Sequence, residues 1–77
     1  MEQLMQQLWK EVLNLDELPG VNESFFDLGG NSYLAAMIAY AIEEKTGVKV
    51  EISDFYEHET ITEILNLLRQ KGVNENV

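Results

Sequence analysis

The spacing of apolar residues is helical in three separate segments of this chain, and this periodicity most constrains its fold. In residues 2–15 apolar side chains recur three and four positions apart, which places them on one stripe of an amphipathic helix. The stripe consists of Leu4, Met5, Leu8, Trp9, Val12 and Leu13. A second helix is predicted from Asn31 or Ser32, either of which can cap it, to about Lys45.

The last predicted helix has sequence signals at both ends. Thr60 and Glu63 match a capping box, in which Glu63 reaches back to the backbone of the cap residue, and Gly72 predicts the end. Its apolar face is formed by Ile61, Ile64, Leu65 and Leu68. We expect residues 73–77 to be a frayed tail of a single domain that comprises residues 1–77.

The stretch before the last helix carries apolar residues that alternate with polar ones: Val48, Val50 and Ile52. Because no second strand is available to pair with them, we interpret this stretch as an extended loop. A short helical turn that carries Phe55 and Tyr56 is expected to open at Ser53. The predicted fold is therefore all-α, a four-helix bundle with three larger helices and one short helix.

A long loop, residues 16–31, connects helices 1 and 2. Loops of this length are commonly functional or disordered, and apolar anchors favour a loop pinned to the helices. These anchors are Leu18, Val21, Phe25, Phe26 and Leu28. If the Phe26 ring anchors the loop in the core, Phe26→Ala should cost about 3–5 kcal/mol, whereas a cost below about 1 kcal/mol would indicate an exposed ring.

Charge and composition exclude several classes of function. Fourteen acidic and five basic residues give a net charge of −9, which argues against nucleic acid and anionic membranes and favours partners with basic docking faces. The chain has no cysteine, so it forms neither a disulfide nor a thiolate metal site. With no leader pattern and no apolar run long enough to span a bilayer, we expect a cytoplasmic location. We also expect a monomer.

The second helix carries more apolar surface than a small bundle can cover. Residues 33–42 include no charge, and their side chains surround the helix. We assign Leu34, Ile38, Ala41 and Ile42 to the core. A different sector should form an apolar partner-binding patch in solvent, composed of Tyr33, Ala36, Met37 and Tyr40. In the alternative interpretation, both tyrosines pack against the long loop and only their hydroxyls reach water.

Ser32 lies at a junction of loop and helix, where unpaired backbone N–H groups favour a phosphate. Gly29 and Gly30 before it keep the approach open, although a serine at such a position is more often a plain cap. A nucleophilic serine would need a base, and the sole histidine, His58, lies in an acidic stretch. The Gly-x-Ser-x-Gly motif and clustered metal ligands are both lacking, so we expect neither an enzyme nor a metal site.

Residues 25–32, which read Phe-Phe-Asp-Leu-Gly-Gly-Asn-Ser, closely resemble the thiolation motif of peptidyl carrier proteins from nonribosomal peptide synthetases. The resemblance extends over about residues 8–68 and implies an acyl-carrier-like bundle. It also implies a covalent 4′-phosphopantetheine on Ser32, with Gly29, Gly30 and Asn31 around it. The terminal thiol of that arm would supply the sulfur that the chain lacks, and would carry aminoacyl or peptidyl groups as thioesters for nonribosomal peptide or related secondary-metabolite biosynthesis.

The same resemblance implies the partners. It implies that a phosphopantetheinyl transferase loads Ser32 and that adenylation, condensation or thioesterase domains then dock on helix 2 and the loop before it. Asn31 stands where histidine or aspartate is frequent, and Tyr33 where leucine is usual. An acyl carrier protein of fatty-acid or polyketide synthesis is one alternative, since those carriers typically have aspartate before the serine. An unmodified helical interaction module is the other.

Overall fold

Four α-helices form within residues 1–73, the part of the chain that this computed structural model describes. They are α1 (Glu2–Leu13), α2 (Ser32–Thr46), α3 (Ile52–Glu57) and α4 (Ile61–Gln70). The described residues include no strand, which confirms the all-α prediction of three longer helices and one short helix. None of the helices in this range combines the length and apolarity needed to traverse a bilayer.

The ends of the first two helices follow from local chemistry. Asn14 adopts a left-handed conformation (φ 57°) and ends α1 slightly earlier than the apolar pattern predicts. Asn31 caps α2, because its side-chain oxygen accepts the N–H of Leu34 at 2.9 Å. Gly47 ends α2 at φ 76°, as its sequence position predicts. Because the Asn31 side chain caps α2, the Ser32 hydroxyl is not needed as the helix cap.

Three aromatic rings meet at the centre of the core. The ring centroids of Phe25 and Phe55 lie 5.2 Å apart, and Trp9 lies about 6 Å from each. All three side chains are fully buried. Phe26 is half-buried and packs against the core, so it contributes to the anchoring of the loop without being enclosed. The fully buried anchor is Phe25, the neighbouring ring.

The core face of α2 is only partly the predicted one. Ile38 and Ile42 are fully buried as expected, whereas Leu34 and Ala41 are half-buried. The other buried residues of this helix are Ala35 and Ala39. Small alanine side chains let α2 lie close to its neighbours, so they are enclosed although they contribute little apolar surface of their own.

The long loop is fastened to the segment between α3 and α4. The N–H of Phe25 donates to the carbonyl of Glu59 at 2.6 Å, and the N–H of Thr62 donates to the carbonyl of Val21 at 3.0 Å. Leu18 is half exposed, so it is not the anchor that we predicted, while the adjacent Pro19 is buried. These two hydrogen bonds fix the loop against the residues that lead into α4. The loop is therefore pinned to the helices, as expected.

The capping box lies on a different helix from the predicted one. At α3 the side chain of Glu51 accepts a backbone N–H, and Asp54 accepts the N–H of Glu51 at 2.8 Å. At α4 the Thr60 oxygen accepts the N–H of Glu63 at 3.1 Å, but the Glu63 carboxylate accepts the Thr60 hydroxyl instead of reaching its backbone. The second half of the predicted box is therefore absent at α4.

The end of α4 closes on Val73. Its N–H donates to the carbonyl of Leu68 at 3.0 Å, and its side chain packs against the core. Residue 73 is thus part of the helix ending rather than of a frayed tail. The remainder of the predicted tail, residues 74–77, lies outside the described residues.

Candidate functional site

The segment before α2 turns back on itself through consecutive backbone hydrogen bonds. The N–H of Leu28 donates to the carbonyl of Ser24 at 3.1 Å, and the N–H of Gly30 donates to that of Phe25 at 3.0 Å. Gly29 has φ 99°, a conformation that strongly favours glycine. This compact turn sets the point at which the chain enters α2.

Gly30 is required by packing. A Cβ at this position would overlap Cε2 of the Phe25 ring, which is fully buried and has no space to retreat. The bare backbone of Gly30 therefore lies against the central ring of the core. The two glycines thus have structural tasks in this loop, and the expectation that they surround a bound group stays a prediction.

Ser32 is the first residue of α2, and its side chain is exposed. Its Oγ lies 2.5 Å from the phenol oxygen of Tyr56 on α3, and either atom can be the donor. Asn31 accepts the N–H of Leu34 through its side chain and that of Ala35 through its carbonyl. Helix geometry leaves the N–H groups of Ser32 and Tyr33 without intrahelical acceptors. An accessible hydroxyl beside free N–H groups and a phenol is a donor set that fits a phosphate ester.

Sequence reasoning missed Tyr56 as a member of this site. Its ring packs on that of Phe26, with centroids 4.8 Å apart, and the side chain is about half exposed (52%). The only signal was its place in the stretch before α4 that shares the family resemblance. Nothing in the sequence relates Tyr56 to Ser32, because 24 positions separate them.

The proposed patch on α2 faces solvent over most of its area. Tyr33 is 73% exposed, Tyr40 65% and Met37 43%, while Ala36 is half-buried. These values disfavour the alternative in which the tyrosines pack against the loop and leave only hydroxyls in water. The Tyr40 hydroxyl donates to Glu44 at 3.2 Å, and this hydrogen bond to a carboxylate raises the pKa of Tyr40. That the patch binds a partner stays a prediction.

A separate groove of about 480 Å³ lies between the long loop and the start of α4. Five carboxylates line it, those of Glu23, Asp27, Glu57, Glu59 and Glu63, and the sequence did not indicate this arrangement. Ser32 is not among its lining residues. No group of three or more residues able to hold a metal ion occurs in residues 1–73.

Comparison with known families and proteins gives a consistent result. Residues 3–68 match the model of the family described as "Phosphopantetheine attachment site". The chain is 43% identical over 65 residues to Nonribosomal peptide synthetase 30 of Fusarium vanettenii, a match over 83% of this chain and 1% of that protein. It is 31% identical over 70 residues to Bacitracin synthase 2 of Bacillus licheniformis, over 91% and 3% respectively. The chain thus spans only a few per cent of the length of these relatives.

Solved structures share the same fold. BlmI, a type-II acyl-carrier-protein from Streptomyces verticillus involved in bleomycin biosynthesis, is 28% identical with a TM-score of 0.83, over 91% of this chain and 83% of that one. A chain from the structure of the phosphopantetheine transferase Sfp in complex with coenzyme A and a peptidyl carrier protein also gives a TM-score of 0.83, over 90% and 88%. At 20% identity the second match supports the fold alone.

Proposed function

This chain belongs to the phosphopantetheine attachment site family and has the four-helix fold of its carriers, and from that premise we propose that Ser32 bears the 4′-phosphopantetheine. We further propose that the cargo is an aminoacyl or peptidyl group of nonribosomal peptide synthesis. The matched synthetases support this choice over an acyl carrier of fatty-acid or polyketide type. The protein acts as a tether, and the chemical steps belong to its partners.

The observation that carries the proposal is the position of the Ser32 hydroxyl. It is exposed at the first turn of α2, and because Asn31 caps the helix the Ser32 oxygen is available for substitution. In loading, Ser32 Oγ forms a bond to phosphorus of the coenzyme A pyrophosphate, and the phosphoanhydride bond breaks. Adenosine 3′,5′-bisphosphate leaves with the electron pair, and the hydroxyl proton passes to a base of the transferase.

The attached arm supplies a terminal thiol that carries the cargo as a thioester. This chain has no cysteine, so no side chain of its own can serve that purpose. The phosphate end of the arm is bonded to Ser32 Oγ. The backbone N–H groups of Ser32 and Tyr33 lie beside it, at the α2 N-terminus, where the helix dipole favours negative charge. Gly29 and Gly30 shape the loop that presents the site.

Intact-mass measurement tests the proposal. The wild-type chain is incubated with coenzyme A and a phosphopantetheinyl transferase of broad specificity, and we expect it to gain the mass of one phosphopantetheine. Omission of coenzyme A is the control and should give no gain. A folded wild-type chain that gains no mass would contradict the proposal and favour an unmodified interaction module.

Docking supplies the specificity, because the cargo hangs at the end of a mobile arm. We propose a transferase and adenylation, condensation or thioesterase domains as partners, a monomeric state and a cytoplasmic location. A net charge of −9 favours partners with basic faces and speeds their encounter. The exposed side chains of Tyr33 and Met37 suit a small apolar contact that forms and dissociates readily.

Truncation of the patch should impair partner transfer more than folding. We expect Tyr33→Ala or Met37→Ala to lower the rate of aminoacyl transfer from an adenylation domain by about 5- to 10-fold, since interface anchors typically contribute at least about 1 kcal/mol. Stability should change by less than about 0.5 kcal/mol for Tyr33→Ala, because Tyr33 is 73% exposed, and by less than about 1 kcal/mol for Met37→Ala, because Met37 is 43% exposed and lies outside the buried core. Gln3→Ala, an exposed change on α1, is the control. An unchanged rate of transfer together with a lowered melting temperature would refute the proposal that the patch binds partners.

A further inference from the structure

The phenol of Tyr56 lies next to the Ser32 hydroxyl because α3 packs against the long loop. The two oxygens lie 2.5 Å apart. The Tyr56 ring is tilted by 37° against the half-buried ring of Phe26, so the loop supports it on one side. The preceding residue, Phe25, is fixed by its backbone bond to Glu59, just beyond α3. The phenol therefore lies where the loop, α2 and α3 meet, with contacts that fix its position.

We propose that Tyr56 is a positioning residue of the attachment site, which orients the Ser32 hydroxyl before loading and donates a hydrogen bond to the phosphate afterwards. This inference rests on the proposed function and adds α3 to the site. Before loading, the hydrogen bond limits the rotation of a side chain that is otherwise exposed. The nucleophilic oxygen is thereby held in one direction as the transferase approaches.

Loading changes the chemistry of this contact in a definite way. Once Ser32 Oγ is esterified it has no proton, so it can only accept. The Tyr56 O–H must then be the donor, either to that oxygen or to a charged oxygen of the phosphate. A hydrogen bond to an ionised acceptor is roughly twice as strong as one between neutral groups. The contact should therefore persist and strengthen on modification.

The neighbouring sequence makes this donor important. The chain has no lysine or arginine between residues 11 and 44, a range that contains the whole loop and most of α2. The donors that the loop and the first turn of α2 present are thus uncharged: backbone N–H groups and polar side chains such as those of Asn31 and Tyr33. The phenol of Tyr56 adds a donor from α3 that already contacts the Ser32 oxygen.

Tyr56→Phe tests the inference, because it keeps the ring on Phe26 and removes only the oxygen. Wild type and variant are loaded with the same transferase and coenzyme A. We expect both to be loaded, with kcat/KM for loading lowered about 2- to 10-fold in the variant, which is the usual effect of one hydrogen bond. In the loaded variant we expect a displaced phosphorus NMR resonance and a displaced Ser32 amide resonance relative to loaded wild type.

Ser53→Ala is the matched control. It removes another exposed hydroxyl from α3, and the loading rate and the phosphorus resonance should match those of wild type. Identical phosphorus and Ser32 amide resonances in wild type and Tyr56→Phe would overturn the inference and leave the carrier function intact. A melting temperature lowered as much as by Phe26→Ala would also overturn it. Failure of the wild type to load would contradict the proposed function instead.

Discussion

Ser32→Ala is expected to abolish loading and to leave the fold intact. The variant lacks the oxygen that must bond to phosphorus, so the loss should be complete rather than fractional. Stability should stay within about 1 kcal/mol of wild type, because Ser32 is exposed, the hydrogen bond that it loses to Tyr56 lies at the surface, and Asn31 still caps the helix. Intact mass after incubation with transferase and coenzyme A measures the first effect, and thermal unfolding measures the second.

The chain offers a matched control for this substitution. Ser53 is also exposed and also lies in the first turn of a helix, α3, so Ser53→Ala removes a comparable hydroxyl. This control variant should load at the wild-type rate. A Ser32→Ala chain that still gains the mass of phosphopantetheine, or a Ser53→Ala chain that gains none, would contradict the assignment.

Phe25→Ala should be the most damaging single truncation in the loop. Its ring is fully buried between Trp9 and Phe55 and lies against the backbone of Gly30. Buried Phe→Ala substitutions typically cost about 3–5 kcal/mol, a large part of the roughly 5–15 kcal/mol that stabilises a small domain. Urea denaturation followed by circular dichroism would measure this loss. Loading should fall as well, because the same ring supports the turn before Ser32.

Phe26→Ala is the matched control, since it truncates the adjacent ring of the same type. Phe26 packs against the core and against the rings of Phe25 and Tyr56, but it is only half-buried, so we expect its loss to cost clearly less. An equal or larger cost for Phe26→Ala would contradict the description of Phe25 as the anchor of the loop.

The helices could be predicted because their signals are local. The apolar stripe of α1 follows from periodicity and the end of α2 at Gly47 follows from a local glycine signal, and the structure has both where the sequence predicts them. The side-chain cap at Thr60 also follows from its own sequence. The observed helix ends differ from the predicted ones by a residue or two where the backbone conformation of one residue, such as Asn14, ends the helix.

The loop and part of the site could not be predicted in the same way. Two adjacent phenylalanines without periodicity give no sign of which ring enters the core, and the contact of Phe25 with Gly30 decides it. The position of Ser32 at the start of α2 could be predicted from the motif in residues 25–32. The approach of Tyr56 to Ser32 instead requires α3 to pack beside the start of α2, which is a tertiary contact between residues 24 positions apart.

Localisation of the attached group is the sharpest test of Ser32 as the attachment point. The loaded wild-type chain is digested and its peptides are fragmented by mass spectrometry. The sequence contains three serines, Ser24, Ser32 and Ser53, so the position of the added mass is unambiguous. We predict that all of the phosphopantetheine is found on Ser32. Phosphopantetheine on Ser24 or Ser53 with Ser32 unmodified would contradict it.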